Sequence, residues 1–280
     1  MHPISVLIPT YNEEVNILRC LEAVAWSDDI IVFDSFSTDR TVEIARNFGA
    51  HVIQRKFDTE PVHRMASLHV PFKYKWVFNP DADEVATPEL CEEMFRSVEN
   101  ANSGVTLFRM RRKDMFQGKW IRHASVDPWL ARLYRPETIS FERFINMTYR
   151  TTGMEAKLQE RLIHYAFAKG MTDWLEKHNR YSRAEAEETL VALEKPAPKL
   201  AAFFSGDPVT RRRALKDLSA RVPFRPLARF FVMYVWQRGF LDGEAGFQYC
   251  CLVGWYEWMI VMKAREMMCL AAATKETAAS

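Results

Sequence analysis

Two carboxylates one residue apart, Asp81 and Asp83 in Asp81-Ala82-Asp83-Glu84, follow the apolar run Lys75-Trp76-Val77-Phe78. At the end of a strand such a pair can hold one divalent cation and aim it at a diphosphate, because Mg²⁺ and Mn²⁺ prefer oxygen ligands and share them with phosphates. An isolated Asp-x-Asp is more often a solvated turn, so the chemistry depends on what else converges there. Two further polar clusters follow apolar runs in the same way: Thr10-Tyr11-Asn12-Glu13 after Ile4-Ser5-Val6-Leu7-Ile8-Pro9, and Asp34 after Ile30-Ile31-Val32-Phe33.

The elements that must position these clusters show in the hydrophobic pattern. Residues 4–8 form a short, unbroken apolar run of the kind buried on both faces of a parallel sheet. Asn12 is placed to cap a helix with Glu13 and Glu14 in its first turn, and Val15, Leu18, Leu21 and Ala25 recur at helical spacing. Residues 30–33 read as a second strand and 41–48 as a second helix closed by Gly49; His51-Val52-Ile53 reads as a third strand. Strands alternating with helices predict a parallel sheet, whose ligands sit beyond the carboxyl ends of the strands. All three polar clusters fall at such ends. The first turn carries no Gly-x-Gly-x-x-Gly, and no Gly-x-x-x-x-Gly-Lys-Ser/Thr occurs, which argues against a nicotinamide dehydrogenase and a P-loop enzyme. Carboxylates without a glycine cradle suit a nucleotide held through base, ribose and a metal-bridged diphosphate.

Taken in order, residues 4–14, 32–41 and Asn79-Pro80-Asp81-Ala82-Asp83-Glu84 resemble family 2 glycosyltransferases of the GT-A fold, in the branch of lipopolysaccharide-core β-glucosyltransferase-like enzymes. The resemblance extends through Gly118-Lys119-Trp120-Ile121-Arg122-His123, Arg132-Leu133-Tyr134-Arg135, Leu162-Ile163-His164-Tyr165, Asn179-Arg180-Tyr181-Ser182 and Gly239-Phe240-Leu241-Asp242-Gly243. It implies an α/β, Rossmann-like, mostly parallel sheet with flanking helices; the residue pattern beyond the sheet adds a C-terminal helical, membrane-associating or dimerising region. The resemblance also implies a nucleotide-sugar donor, most simply a UDP-sugar. Pro9, Thr10 and Glu13 would line the uridine pocket, Asp34 would meet base or ribose, and Arg64 would lie near the nucleotide. Asp81 and Ala82 would contact the donor, with Asp81 and Asp83 on a Mg²⁺ or Mn²⁺ ion.

An inverting transferase needs a carboxylate to take the acceptor's proton. The resemblance implies a His-Glu pair after the Arg-Leu-Tyr-Arg segment, but this chain reads Phe144-Ile145-Asn146-Met147-Thr148, without an acid. The candidates nearby are Asp127, which precedes Pro128, then Glu142 and Glu155; Asp127 is the first choice, with an ordinary Asp-Pro turn as its alternative. A basic run through Arg109, Arg111, Arg112, Lys113, Lys119, Arg122 and His123 either meets a donor diphosphate or anionic acceptor, or guards a strand edge.

The chain has 280 residues, 48% of them apolar, and a net charge of +2, enough for one α/β domain with an appendage. We expect a catalytic domain over 1–195 and a helical region over 196–280, joined near Lys195-Pro196-Ala197-Pro198. Arg211, Arg212, Arg213, Lys216, Arg221, Arg225 and Arg229 face only Asp217 and are followed by Phe230-Phe231-Val232-Met233-Tyr234-Val235-Trp236. That pattern suits an inner-membrane surface, with packing on the protein itself or in a homodimer as the alternative; without an RNA-binding motif, nucleic acid is not expected as a partner. Residues 247–262 are apolar but short of the ~20 needed to span, and Gly239 and Gly243 predict a turn between two helices. No signal peptide is read at Met1-His2-Pro3, so the chain is expected in the cytoplasm, peripheral at the inner face of the membrane. Five cysteines and seven histidines show no zinc spacing. The reading is an inverting, metal-dependent glycosyltransferase acting on a lipid-linked envelope glycan such as lipopolysaccharide core, O-antigen or exopolysaccharide. Its competitor is a non-catalytic sugar-nucleotide-binding or assembly protein that lacks the base.

Overall fold

The computed structural model describes residues 2–101, 104–125, 127–142, 148–206, 208–222 and 224–279. The segment 143–147 and the side chains of Glu142, Arg212, Arg213 and Lys216 lie outside the described residues. The chain divides into two compact units, residues 1–115 with 126–168 and residues 116–125 with 169–280.

The first unit opens with β1 (Ile4–Thr10), α1 (Ile17–Ala23), β2 (Ile30–Asp34), α2 (Thr41–Phe48) and β3 (His51–Gln54). It continues through α3 (Glu60–Ser67), β4 (Trp76–Phe78), β5 (Glu84–Val85) and α4 (Pro88–Glu99). Then come β6 (Val105–Phe116), β7 (Lys119–Trp120), β8 (Leu130–Tyr134), β9 (Ile139–Glu142), β10 (Thr148–Thr151) and β11 (Met154–His164), with β7 in the second unit. The main sheet runs β3-β2-β1-β4-β8-β6-β11-β5. Strands β3, β2, β1 and β4 are parallel neighbours, as is the pair β6–β11; β8 is antiparallel to both β4 and β6, and β5 to β11. Apolar clusters lie on both faces, one around Ile4, Val6, Ile8, Phe78 and Leu90, the other around Leu7, Ile31, Phe33, Val77 and Leu107. Burial on both faces is why β1 reads as an unbroken apolar run.

The parallel register sets Thr10 beside Asp34 and Asp34 beside Gln54, so the first two polar clusters share one edge, as expected. Gly49 closes α2 in the left-handed conformation, φ 98°. The start of the first helix differs from expectation. Asn12 does not cap it: its backbone is left-handed, φ 53°. Its N–H donates to Ser37 Oγ at 2.8 Å, and its Oδ1 accepts from the Thr38 N–H at 2.8 Å. Glu13 and Glu14 give their N–H groups to Thr41 Oγ1 and Asp39 Oδ2. These N–H groups are thus spent on the neighbouring loop. α1 begins only at Ile17; it buries Ile17, Cys20 and Leu21, while Val15 and Leu18 are exposed.

The second unit is helical: α5 (Gly170–Glu194), α6 (Leu200–Phe203), α7 (Pro208–Ser219), α8 (Arg225–Phe231) and α9 (Gly243–Ala279). A π-turn over Val232–Trp236 and a 3₁₀ turn over Gly239–Asp242 join α8 to α9, which forms the expected pair of helices about a glycine turn. The sequence places α5 with the N-terminal domain. In the structure α5 groups with α9, and Ala186, Ile260 and Ala264 form the buried seam. No helix among the described residues is long and apolar enough to cross a membrane.

Candidate active site

The acidic turn is built from its entry outward. Asn79, 2% exposed, donates from Nδ2 to the Leu7 carbonyl at 2.7 Å and accepts from the Tyr134 hydroxyl at 3.1 Å. This locks the end of β4 against β1 and β8. The Glu84 N–H donates to the Asp81 carbonyl at 2.9 Å and closes the turn. Ala82 is buried in the core, and that leaves Asp81 and Asp83 on the open side, with side chains 33% and 20% exposed. The exit is pinned by β5 on β11, where Glu84 pairs with His164, and by the Tyr165 N–H on the Asp83 carbonyl at 2.9 Å.

Beneath the turn lies a charge network. Arg132 of β8 donates to the Asp81 carboxylate and, at 2.7 Å, to Glu84 Oε1. Arg64 of α3 lies 3.6 Å from Asp81 and donates to the Tyr149 hydroxyl at 3.1 Å. Burial alone would push the Asp81 carboxyl up; the Arg132 and Arg64 guanidiniums outweigh it and hold the group below the usual carboxylate range. Glu84 is fully buried, and there desolvation prevails: its carboxyl is raised, against the pull of Arg132. Burial also pushes the Cys20 thiol well up, with the Glu84 and Asp83 carboxylates adding to it, so this cysteine is a packing residue rather than a nucleophile.

Asp83 faces a different partner. Its Oδ2 lies 3.4 Å from His164 Nε2, while His164 Nδ1 lies 2.7 Å from Asp114 Oδ1. Arg112 Nε sits 2.8 Å from the same Asp114 oxygen and its Nη1 3.8 Å from Glu84. Burial would lower the imidazole, but hydrogen bonds to Asp114 and Asp83 raise it to about 9. In that charged form Nε2 carries a proton toward Asp83; a cation that displaces this proton would find Nε2 as a donor, with Nδ1–H still fixed on Asp114. Among the described residues no three acidic, histidine or cysteine side chains form a ready-made cage. Asp83 and His164, with Asp81 two residues away, could serve a hard cation that completes its shell with diphosphate oxygens and water.

The remaining expected residues fall as follows. Asp34 is fully buried and accepts from Thr10 Oγ1 at 3.0 Å, the Ser37 N–H at 2.9 Å and Gln54 Nε2 at 3.0 Å, so it ties three strand ends together. Glu13 accepts from Asn16 Nδ2 at 2.9 Å, and Pro9 is half-buried at the end of β1. Asp127 is held between Arg111 at 3.1 Å and Arg161 at 2.6 Å. Glu155 forms a bidentate pair with Arg109, at 2.7 and 3.0 Å, and the hydrogen bond from Arg109 lowers its carboxyl. Both are thus committed to arginines rather than aimed at the acidic turn. Glu142 ends β9, with its side chain outside the described residues.

Arg132, His164 and Asp114 have no role assigned from the sequence, and Arg112 enters there only as part of the basic run. Arg132 and His164 do lie in quoted motifs, each a polar residue beside an apolar strand run. A buried-strand pattern interrupted by a charge was the available signal.

Residues 5–163, more than half of the 280-residue chain, match the family model described as Glycosyl transferase family 2. An uncharacterized glycosyltransferase of Rickettsia prowazekii is 30% identical over 217 residues, covering 72% of this chain and 72% of that protein. One of Rickettsia felis is 26% identical over 285 aligned residues, covering 96% of this chain and 91% of that protein. A crystal structure of glucosyl-3-phosphoglycerate synthase from Mycobacterium tuberculosis in complex with Mn²⁺ and UDP-glucose is 24% identical. It covers 39% of this chain and 43% of that one at a TM-score of 0.34, so the chain spans less than half of that structure.

Proposed function

The chain belongs to glycosyl transferase family 2, and on that premise we propose that it moves a sugar from a nucleotide donor, a UDP-sugar, to a lipid-linked glycan of the cell envelope. The transfer inverts the anomeric carbon and takes place at the inner face of the cytoplasmic membrane. One observation carries the donor side: Asp83 at the carboxyl edge of the sheet faces His164 Nε2 at 3.4 Å, with His164 oriented by Asp114.

Asp83 and His164 would hold Mg²⁺ or Mn²⁺. When bound, the ion supplies Lewis-acid neutralisation of the charge that grows on the departing nucleoside diphosphate. Arg132 keeps Asp81 ionised and immobile, and Arg64, 22% exposed beside it, is placed to meet a phosphate oxygen or the ribose. The loops after β1 and β2, clamped by Asn12 and Asp34, form the floor for the nucleoside, with Pro9, Thr10 and Glu13 at its edge. Asp127 is assigned as the base. Its two arginines orient it and occupy both of its oxygens, so acceptor binding has to free one of them.

That arginine pairing also favours a second reading, a sugar-nucleotide binder without turnover, since both Asp127 and Glu155 are spent in ion pairs. Asp127→Ala, Glu142→Ala and Glu155→Ala decide between the two. Loss of turnover in one variant, with UDP binding intact, identifies the base. No turnover in any protein, wild type included, supports the binder. The donor site is tested by calorimetric titration of UDP with and without Mn²⁺. Binding that needs the metal and is lost in Asp83→Asn is expected; metal-independent binding unchanged in that variant contradicts it.

A further inference from the structure

In the second unit Phe224, Leu227, Phe231 and Val235 recur at spacings of three, four and four, yet each is exposed, between 53% and 76%. The π-turn adds Trp236, 86% exposed. The opposite side of the same segment is spent inward: Pro226 and Met233 are buried, and Phe230 and Tyr234 pack on Phe247 at 5.9 and 5.5 Å between ring centroids. An apolar stripe at helical spacing on the outside of a helix calls for a partner.

Charge selects among partners. From residue 218 to 241 the chain has no acidic residue and four arginines, 221, 225, 229 and 238. Arg225 is neutralised by Glu257 at 2.7 Å, and Arg221 donates to the Ala192, Lys195 and Asp217 carbonyls. Arg229 turns inward, with its Nε buried, and Arg238 is exposed and makes no ion pair among the described residues. A second copy docking this face on itself would be isologous and would set Arg238 against its own equivalent. A surface of anionic headgroups over hydrocarbon answers both features, because aromatic side chains settle at the headgroup boundary and nearby Lys or Arg side chains are drawn to the anionic surface. We propose that α8 and the π-turn dock on an anionic lipid bilayer surface, with Phe231, Val235 and Trp236 entering the headgroup layer and Arg238 facing the phosphates. The choice of a bilayer rests on the proposed lipid-linked acceptor for its purpose, but not for its test.

The test is co-sedimentation of the full chain with vesicles of phosphatidylglycerol and phosphatidylcholine, or of phosphatidylcholine alone, at low and high salt. Binding to the anionic vesicles is expected to be about tenfold stronger and to weaken with salt. Phe231→Ser with Trp236→Ser, and separately Arg238→Glu, are each expected to lower it about tenfold while metal-dependent UDP binding stays intact. Equal binding by wild type and variants, or no binding by wild type, overturns the proposal. So does a lipid-free dimer that the double variant splits, which would make this face a subunit interface. Because no turnover is measured, a failed transferase assay leaves the vesicle result standing, and the reverse holds.

Discussion

Arg132 carries the charge balance of the acidic turn. It is 5% exposed and reaches both Asp81 and the fully buried Glu84. Removing one partner of a buried ion pair leaves the other charge uncompensated, at a cost of about 3–5 kcal/mol. Arg132→Met is therefore expected to lower stability by that amount in urea unfolding, and Arg132→Lys by less, since an ammonium keeps the charge but loses the planar fork. Unchanged stability in Arg132→Met would refute the network. Asp114→Asn is expected to weaken Mn²⁺ binding 10–100-fold by calorimetry without unfolding the chain, because it releases His164 from its fixed tautomer. The sequence showed Asp81, Ala82 and Asp83 because their spacing is local. Arg132 and His164 come from distant strands, and only the sheet order brings them under the turn; with one sequence, a charge inside a strand run gives no sign of what it faces.

Among the elements, the turn before α9 is held by one side chain. Asp242 accepts from the backbone N–H groups of Arg122, His123 and Ala124, at 3.2, 2.9 and 2.9 Å, and lies 2.8 Å from His123 Nδ1. Burial would raise its carboxyl, but the N–H groups of Ala124 and His123 and the His123 ring lower it overall. A depressed carboxylate contributes stability above its unfolded pKa of about 3.9, and that stability is lost as pH falls through the lower folded value. Wild type is accordingly expected to lose stability below about pH 4 more steeply than Asp242→Asn, read by thermal unfolding across pH; parallel profiles would remove Asp242 from this role. Gly239→Ala is expected to loosen the same turn, since a Cβ there would lie 2.7 Å from the Met233 carbonyl and 3.0 Å from the Ala124 Cβ. Both motifs were noticed in the sequence, but their meeting was not, because they lie far apart in the chain. The parallel core strands and α2 were legible from apolar runs and Gly49. The start of α1 was not, because a polar segment rich in cap-forming residues can spend its N–H groups on another loop as readily as on its own helix.

For the whole molecule, the chain is a family 2 glycosyltransferase, and the residues of the proposed metal and donor site, Arg64, Asp81, Asp83, Asp114, Arg132 and His164, all belong to the first unit. The second unit carries the exposed apolar stripe and its arginines. The most direct measurement is UDP release from a panel of UDP-sugars by the purified full chain, with Mn²⁺ and with EDTA, in the presence and absence of a bacterial lipid extract. Release from one donor that requires the metal, rises with the extract and falls at least a hundredfold in Asp83→Asn is expected, the loss being of the size seen when a charge-stabilising group is removed. Release that persists in EDTA and in Asp83→Asn would contradict the account.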